Sequence, residues 1–298
     1  MGNTKRVWEM TIIKQSTVLS VLLTVALAWV VPTSKAATYS LTNGTSTATY
    51  DTANGLTAWT ANYPLNGMNV ANQQQFWYRI GSSNPEASIG TLTLVGANAT
   101  DANFDGYKDT LSSLYTNAAS KFTISVSSFL IGYAGQPAGE NSDINTTIKI
   151  TNLNGSALDF HLFLYSDFNL GYGGGSDNDI VQFLNSTTVI QSNNVPYPFG
   201  GVLQTQEISG LSPTEHEANT YPATFTSLTN SSATTLSGAG GPLTGNATWA
   251  FEWDMSIGAN SSQIIQLDNQ LQVPEPSSLM LGLGGLLFFA AVLRRRIS

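Results

Sequence analysis

The densest group of potential ligand atoms in this sequence is the segment 101–109, Asp-Ala-Asn-Phe-Asp-Gly-Tyr-Lys-Asp. Its oxygen-bearing side chains, Asp101, Asn103, Asp105 and Asp109, occupy positions 1, 3, 5 and 9, with glycine at position 6. That spacing is typical of a calcium loop, although position 12 is Ser112 and not the bidentate glutamate that completes such a site. The segment therefore predicts a solvated loop between strands, with weak Ca²⁺ binding as the alternative. No other cofactor is indicated.

Histidine and cysteine limit the remaining chemistry. Cysteine is absent and histidine occurs twice, which excludes disulfide scaffolds, thiolate metal sites and multi-histidine metal sites. His161 shares the polar face of a predicted strand with Asp159, but no nucleophile elbow accompanies it, and we expect a structural role. Glu215-His216-Glu217 lies in a predicted loop and lacks a second histidine for zinc. Paired carboxylates for glycoside hydrolysis remain open, because the fold sets their separation.

Aromatic side chains offer a different chemistry, the stacking of rings on sugar faces. Trp249, Phe251 and Trp253 occupy one face of a periodic strand and are expected in the core. Other aromatic residues are expected in or near loops, namely Trp59, Tyr63, Trp77, Tyr78, Tyr172, Tyr197 and Tyr221. These residues support the alternative that the protein binds carbohydrate.

Alternating strand patterns must position all of these residues. Ala247–Ile257 and Leu158–Ser166 each place large apolar residues on one face and mainly polar residues on the other. Asn154-Gly155, between the strand pattern Thr146–Thr151 and Leu158–Ser166, predicts a hairpin. Many short strands without a helical period predict an all-β antiparallel domain, a β-sandwich or jelly-roll.

Charge is distributed unevenly along the chain. The net charge of −8 averages basic ends with a middle, residues 37–276, that has 18 acidic and 4 basic residues, a balance of −14. A body this acidic repels nucleic acid and anionic membrane surfaces, because phosphate contacts need clustered Lys and Arg. Nucleic-acid binding is therefore excluded as a function.

The N-terminal segment has the parts of an export signal. Basic residues precede the apolar run Val18–Val31, and Ser34 and Ala36 place small residues at −3 and −1 of a cleavage site. The run gives about 21 Å of helix, short for a bilayer core of about 30 Å, so an uncleaved anchor is the lesser alternative. Residues 1–36 are predicted to be a signal peptide that is cleaved after Ala36. Met10 is an alternative start.

The C-terminal segment combines three elements in a fixed order. Pro274, Glu275 and Pro276 lead into Ser277–Leu293, which has no charged residue, and Arg294, Arg295 and Arg296 follow at once. The apolar stretch makes about 26 Å of helix, at the short limit for a membrane span. The arginines should stay cytoplasmic, which places the body outside. An ordinary tail anchor is one interpretation.

The tripeptide, apolar span and arginine cluster resemble the PEP-CTERM sorting signal of Gram-negative bacteria. The resemblance covers Pro274–Pro276, Ser277–Leu293 and Arg294–Arg296. It implies recognition by an exosortase, a membrane transpeptidase-like protease, with processing near Pro-Glu-Pro. It also implies delivery to the cell surface or an exopolysaccharide matrix. The body resembles other secreted bodies that carry this tail, a similarity that names no activity.

These observations predict three segments: 1–36 as signal peptide, 37–273 as one secreted β-sandwich domain, and 274–298 as the sorting signal with its transmembrane helix. The predicted function is an exported, non-enzymatic surface or extracellular-matrix protein associated with exopolysaccharide, without catalytic residues. The alternative is a carbohydrate-binding module or a polysaccharide-active enzyme. The expected partners are an exosortase-type membrane protease, the inner membrane before processing, and an extracellular polysaccharide.

Overall fold

Alternating apolar and polar residues fold this chain into two antiparallel β-sheets that enclose a common core. A computed structural model describes residues 36–61, 69–132, 142–170, 179–193 and 202–272. All of these residues lie in one compact unit, Pro32–Ser298. No helix within these ranges is both long and apolar enough to cross a membrane.

The described strands vary from two to eleven residues in length. In chain order they are β1 Thr38–Asn43, β2 Ser46–Asp51, β3 Gly55–Ala61, β4 Ala71–Ile80, β5 Ala87–Ser88, β6 Thr93–Thr100, β7 Thr110–Asn117, β8 Phe122–Gly132, β9 Ser142–Asn152, β10 Leu158–Phe168, β11 Asp179–Asn185, β12 Thr188–Asn193, β13 Leu203–Gly210, β14 Glu215–Thr220, β15 Leu243–Gly245, β16 Ala247–Ile257 and β17 Ser262–Gln272. A 3₁₀ turn occupies Ile89–Thr91, and one helix, α1, occupies Ala223–Thr229.

The strands divide into a first and a second sheet. The first sheet has the order β1-β2-β3-β4-β10-β16-β14, with β5 paired to β4. The second has the order β15-β11-β12-β13-β17-β9-β8-β7-β6. The predicted all-β antiparallel class is confirmed, as a sandwich. The predicted signal peptide, apart from Ala36, and the predicted C-terminal helix lie outside the described residues.

The core lies between the sheets, where the predicted alternation places it. Trp249, Phe251 and Trp253 of β16 have no exposed surface, and they share one apolar cluster with Ile148 of β9 and Ile265 of β17. Burying an apolar side chain of this size contributes about 1.5–3 kcal/mol. The opposite face of β16 and of its neighbour β10 is therefore directed away from the core.

The predicted hairpin at Asn154-Gly155 is wrong. β9 pairs with β8 and β17 in the second sheet, whereas β10 pairs with β4 and β16 in the first. Between β9 and β10 the chain therefore crosses from the second sheet to the first. Between β16 and β17 it crosses back, at a nearby point. The Asn152 amide group joins the two crossings by donating to the carbonyls of Ser156 (2.8 Å), Ile257 (2.9 Å) and Gly258 (3.0 Å). An Asn-Gly pair indicates a turn but not whether the flanking strands pair.

A second apolar cluster covers part of the outer face of the first sheet. Phe163 and Tyr165 of β10 are fully buried there, under Leu228 of α1 and Leu236 of the following segment. The sequence indicates loops in this region, so α1 is an element that the pattern does not predict. A helix this short is stabilised by tertiary packing and not by propensity.

Candidate functional site

Three neighbouring strands bring charged side chains together on the outer face of the first sheet. β10 pairs with β4 on one side and with β16 on the other, and His161 is the register partner of both Arg79 and Asp254. Glu252 is two residues from Asp254 and therefore on the same face of β16. We name this group the outer-face cluster, which consists of Arg79, Glu86, Asp159, His161, Glu252 and Asp254.

The guanidinium of Arg79 is the cationic centre of the outer-face cluster. Its Nη1 donates to Glu86 Oε1 at 2.6 Å and to the carbonyl of Thr234 at 2.5 Å. The side chains of Arg79 and Glu86 are 3% and 0% exposed. The guanidinium carbon also lies 5.5 Å from the centre of the Phe163 ring. A buried positive charge is thus fixed beside several carboxylates.

His161 lies between this buried charge and the solvent. Its Nδ1 contacts Asp254 Oδ1 directly, and its Nε2 lies 3.4 Å from Asp159 Oδ1. The His161 side chain is 9% exposed, whereas those of Asp254 and Asp159 are 42% and 59% exposed. The outer-face cluster therefore opens to solvent on the side of these two carboxylates.

His161 Nδ1 has two contacts, and each favours a different tautomer of the imidazole. The Asp254 carboxylate accepts hydrogen bonds, so its contact favours a proton on Nδ1. Arg79 Nη2, at 2.9 Å, can only donate a hydrogen bond, so its contact favours an unprotonated Nδ1 and a proton on Nε2. Nε2 itself is buried, and it is the imidazole nitrogen that is left without a hydrogen bond among the described residues.

Glu252 provides a second group that can exchange a proton. Burial raises its pKa to about 7, and the charge of Asp254 acts in the same direction, while the backbone N–H of Leu236 and the charge of Arg79 oppose them. Oε2 accepts a hydrogen bond from Leu236 N at 2.8 Å. Oε1 has no hydrogen-bond partner among the described residues and lies 3.8 Å from Arg79 Nη2.

Residues 234–237, which we call the cover segment, lie over this face of the sheet. Three of their backbone N–H groups donate to three buried carboxylates: Thr234 to Glu86 (2.8 Å), Leu236 to Glu252 (2.8 Å) and Ser237 to Glu217 (3.1 Å). Burial alone would raise the pKa of Glu217, but hydrogen bonds from Thr224, Ser237 and Asn219 outweigh it and lower the pKa. Glu217 is therefore an ionised anchor for the cover segment.

The outer-face cluster also contains potential metal ligands. One ligand atom each from His161, Glu252 and Asp254 lies within 4.8 Å of the others. Arg79 already supplies a positive charge 2.9 Å from the His161 ring, and a cation bound there would be repelled by it. The arrangement is better suited to proton transfer than to metal binding.

The predicted calcium residues all belong to the exposed loop between β6 and β7. Asp101, Asp105 and the buried Asp109 accept backbone hydrogen bonds of that loop, and Asn103 donates to Asp105 Oδ2 at 3.2 Å. The flanking elements are strands, as the sequence indicates. Calcium binding at this loop stays a prediction.

The aromatic residues that support the carbohydrate-binding alternative are mostly not in loops. Trp59 of β3 is fully buried, Trp77 of β4 is 8% exposed, and Tyr78 packs against the main core. Their placement in or near loops was wrong, because all three lie inside strands. Tyr221 is 45% exposed. Tyr63, Tyr172 and Tyr197 lie outside the described residues.

Glu215-His216-Glu217 is also placed differently from the prediction. The three residues begin β14, not a loop, and alternate across the first sheet. Glu217 is directed to the cover segment, while the His216 ring lies 4.3 Å from that of Phe183 on the other face. The two histidines of the chain therefore lie on opposite faces of the sheet.

Sequence reasoning missed most of the outer-face cluster. A signal was present, since Asp159 and His161 alternate on β10 and Glu252 and Asp254 alternate on β16. What was missing is the pairing of these two strands, which are far apart in the chain. Glu86, beyond β4, showed no pattern at all.

Solved structures similar to this chain include proteins whose names refer to sugar chemistry. A candidate aldose 1-epimerase from Escherichia coli K12 has 8% identity, covers 80% of this chain and 99% of its own, and has a TM-score of 0.45. A galactose mutarotase-like protein from Lactobacillus casei has 12% identity, 79% and 100% coverage, and a TM-score of 0.41. A family GH92 alpha-mannosidase from Bacteroides thetaiotaomicron has 10% identity, 80% and 31% coverage, and a TM-score of 0.35.

These matches correct the expected function. The prediction of a non-enzymatic surface or matrix protein is contradicted, and its alternative, a carbohydrate-binding module or polysaccharide-active enzyme, fits the matched structures better. Identities are at most 12% and TM-scores at most 0.45 among the structures described, so this likeness assigns no chemistry to the chain. No curated protein matches in sequence.

The terminal signals lie at or beyond the limits of the described residues. Ala36, the predicted cleavage residue, is exposed, and Ala37 begins the folded part by exchanging hydrogen bonds with Thr52 (2.9 and 3.0 Å). Pro274–Pro276 and Arg294–Arg296 lie outside them. Residues 272–296 match the PEP-CTERM protein-sorting motif, which implies export and membrane anchoring before processing. The chain thus carries a PEP-CTERM sorting motif at its C-terminus, consistent with an exosortase substrate.

Proposed function

We propose that the exported body acts on carbohydrate by acid–base chemistry at the outer-face cluster. The observation that carries this proposal is the contact of His161 with Asp254 beside Glu252, whose pKa burial raises to about 7. A general acid and base work best when their pKa values lie near the working pH. His161 and Glu252 offer ligand atoms within 4.8 Å of each other, so both can reach one substrate.

Each group has a distinct role in this proposal. Asp254 holds the proton on Nδ1, which leaves Nε2 as the basic nitrogen of His161. Nε2 is buried in this structure, so it removes a proton from a substrate hydroxyl only after it has been uncovered. Glu252, protonated near neutral pH, donates a proton to the ring oxygen of the sugar as the bond from that oxygen to C1 breaks and the C1 hydroxyl becomes an aldehyde carbonyl. Closure of the ring on the other face of the aldehyde re-forms the bond and returns both protons to the groups they came from. Arg79 stabilises the negative charge that develops between them. The reaction class is a proton-transfer isomerisation at a sugar.

The substrate class follows from charge. The solvent-exposed side of the cluster, which we call the entrance, carries Asp159 and Asp254. Residues 37–276 have a charge balance of −14, so anionic substrates are repelled. Carboxylates at an entrance accept hydrogen bonds from neutral hydroxyl groups. Hydrolysis by opposed carboxylates is less well supported. Glu252 and Asp254 offer oxygens within 4.8 Å of each other, which is too close for the gap of about 6.5–9.5 Å in inverting enzymes. Retaining enzymes have a gap of about 5–5.5 Å, but their two carboxylates flank the bond that breaks, whereas these two lie side by side on one strand.

A second candidate, sugar binding without turnover, is favoured by the cover segment. The N–H of Leu236 donates a hydrogen bond to Glu252 Oε2, and Arg79 Nη1 donates one to the carbonyl of Thr234, so these groups already have partners. If the cover segment stays in place, substrate reaches only Asp159, His161 and Asp254. The protein would then hold a sugar at the entrance without protonating it.

The test measures whether the purified full chain speeds up anomer interconversion. Polarimetry on freshly dissolved α-glucose and α-galactose monitors the reaction. We expect catalysis of at least one interconversion, and a loss of 100-fold or more for His161→Gln and Asp254→Asn. Glu207→Gln, at an exposed residue of the second sheet, is the matched control and should retain full rate. Rates equal to the uncatalysed ones for both sugars would reject the proposal and favour the expectation that the protein is not an enzyme.

We further propose that the body reaches the cell surface or extracellular matrix after an exosortase-type protease processes its tail, where a polysaccharide is its neighbour. Replacing Pro274, Glu275 and Pro276 by alanine should leave the full-length mass in the membrane fraction. Unchanged mass and unchanged location relative to wild type would contradict this part of the proposal.

A further inference from the structure

The two most exposed large apolar side chains in the described ranges lie three residues apart. Phe104 is 90% exposed and Tyr107 is 61% exposed. Both belong to the loop 101–109 between β6 and β7, which we call the aromatic loop. β6 is the edge strand of the second sheet, so this loop belongs to a different sheet from the outer-face cluster.

The aromatic loop holds Phe104 in a conformation that bulky residues rarely adopt. Its φ is +63°, in the left-handed region, where a side chain is strained. The Asp101 carboxylate maintains this turn by accepting the backbone N–H groups of Phe104 (2.6 Å), Asp105 (3.3 Å) and Gly106 (2.8 Å). A glycine at position 104 would relieve the strain, yet the position carries a ring.

The base of the aromatic loop is anchored to both sheets. Asp109 is fully buried and accepts the N–H groups of Ala102 (2.9 Å) and Asn103 (3.3 Å). The carbonyl of Lys108 accepts the N–H of Thr42 in β1 at 2.7 Å. The rings are thus presented on a fixed backbone, which reduces the entropy lost when a ligand binds.

Neither ring is placed to stabilise the fold. A ring that is nine-tenths exposed gains almost nothing from burial, and the strain at Phe104 costs free energy. Exposed apolar groups held at such a cost mark interaction sites. We propose that the aromatic loop is a binding site for a neutral polysaccharide, whose sugar rings stack on Phe104 and Tyr107.

Area and charge argue for this occupant. Two rings offer at most about 300–500 Å² of surface, below the about 800 Å² per partner of a stable protein interface. The carboxylates of Asp101 and Asp105 flank the rings with Lys108 as the one basic residue of the loop, so acidic polymers and anionic lipid are repelled. Neutral sugars present apolar C–H faces to the rings and hydroxyl groups to Asn103 and Asp105.

This site is independent of the proposed acid–base chemistry. The test is isothermal titration calorimetry of the purified full chain with three neutral probes: cellohexaose, laminarihexaose and maltohexaose. At least one should bind, and Phe104→Ala and Tyr107→Ala should each weaken its Kd 10-fold or more. Phe104→Tyr, which keeps a stacking ring, should stay within about threefold. Leu184→Ala, at a residue that is 56% exposed on β11, should change nothing.

Each other outcome overturns the proposal. Failure of the wild-type chain to bind any of the three probes would reject the proposal, as would wild-type affinity in either alanine variant. Binding to phosphatidylcholine vesicles that Phe104→Ala abolishes would reassign the loop to membranes. His161→Gln separates the two sites, because it should lose turnover and keep the hexasaccharide affinity of the aromatic loop.

Discussion

Arg79 and Glu86 form an ion pair with 2.6 Å between Nη1 and Oε1 although their side chains are only 3% and 0% exposed. A buried pair contributes little net stability, because desolvation of the two charges offsets their attraction. Removing one partner is different, since it leaves the other charge buried without compensation. The main effect of the pair is therefore to fix the position of Arg79, and its net contribution to the stability of the fold is small.

Glu86→Gln should lower the free energy of unfolding by about 3–5 kcal/mol, because Arg79 would keep its charge and lose its closest carboxylate. Urea denaturation measures the change. Glu207→Gln, the same substitution at an exposed residue, should stay within about 0.5 kcal/mol. Similar losses in both variants would show that the ion pair is not what holds Arg79.

Asp179 should make stability fall as pH rises. Burial raises its pKa from 3.8 to about 6, against hydrogen bonds from Leu170 N and the Gln191 amide. The folded state favours the protonated form, so its contribution is present at low pH and is lost between about pH 4 and 6. Two pKa units correspond to at most about 3 kcal/mol.

The check is the melting temperature of Asp179→Asn and wild type from pH 4 to 7. The variant, whose side chain stays neutral, should show a smaller decline over this range. Asp143, whose pKa is also raised to about 6, is retained in both proteins and keeps part of the decline. Parallel curves for the two proteins would mean that Asp179 does not titrate in this range.

Glu252 should shape the pH dependence of any activity at the outer-face cluster. If it donates a proton, kcat/KM falls above about pH 7, where burial places its pKa. Glu252→Gln cannot titrate, so its profile should lack that limb and its maximum should fall about 100-fold. Glu215→Gln tests the neighbouring position, since Glu215 is the register partner of Glu252 on β14, and it should keep the wild-type profile.

Gly132 is a position where no side chain fits. A Cβ there would lie 1.9 Å from the carbonyl oxygen of Asn43, so the end of β8 and the end of β1 would have to separate. Gly132→Ala should lower the free energy of unfolding by about 1–3 kcal/mol, read from thermal or urea unfolding. Gly96→Ala is the control, because nothing lies within 4 Å of a Cβ at that position. An equal melting temperature in both variants would contradict the close approach.

Local periodicity was sufficient to predict the individual strands but not their partners. The alternation in β16 correctly placed Trp249 and Trp253 in the core, because side-chain direction is a local property of a strand. The Asn154-Gly155 turn was assigned to a hairpin because sequence does not record whether a chain returns to the same sheet. That distinction depends on contacts such as those of Asn152, which are made with residues more than 100 positions away.

The candidate site was hidden for the same reason. His161 was noticed beside Asp159, but its neighbours Arg79 and Asp254 come from strands 82 and 93 residues away in the chain. Acidic residues on the polar face of β16 resembled an ordinary solvated surface. Glu252 became distinctive only once the cover segment buried it, and that segment follows a helix that the pattern does not predict.

The position of β17 has a mechanical consequence. It is the last described strand, and its final residue, Gln272, is also where the sorting-motif match begins. β17 is paired along its length with β13 on one side and β9 on the other. Tension applied to the chain from the membrane therefore enters the middle of a sheet and loads two hydrogen-bond ladders in shear, so that many bonds must break together. An edge strand would instead be peeled away one bond at a time. Before processing, tension on the tail would therefore be borne by an interior strand and not by an edge strand.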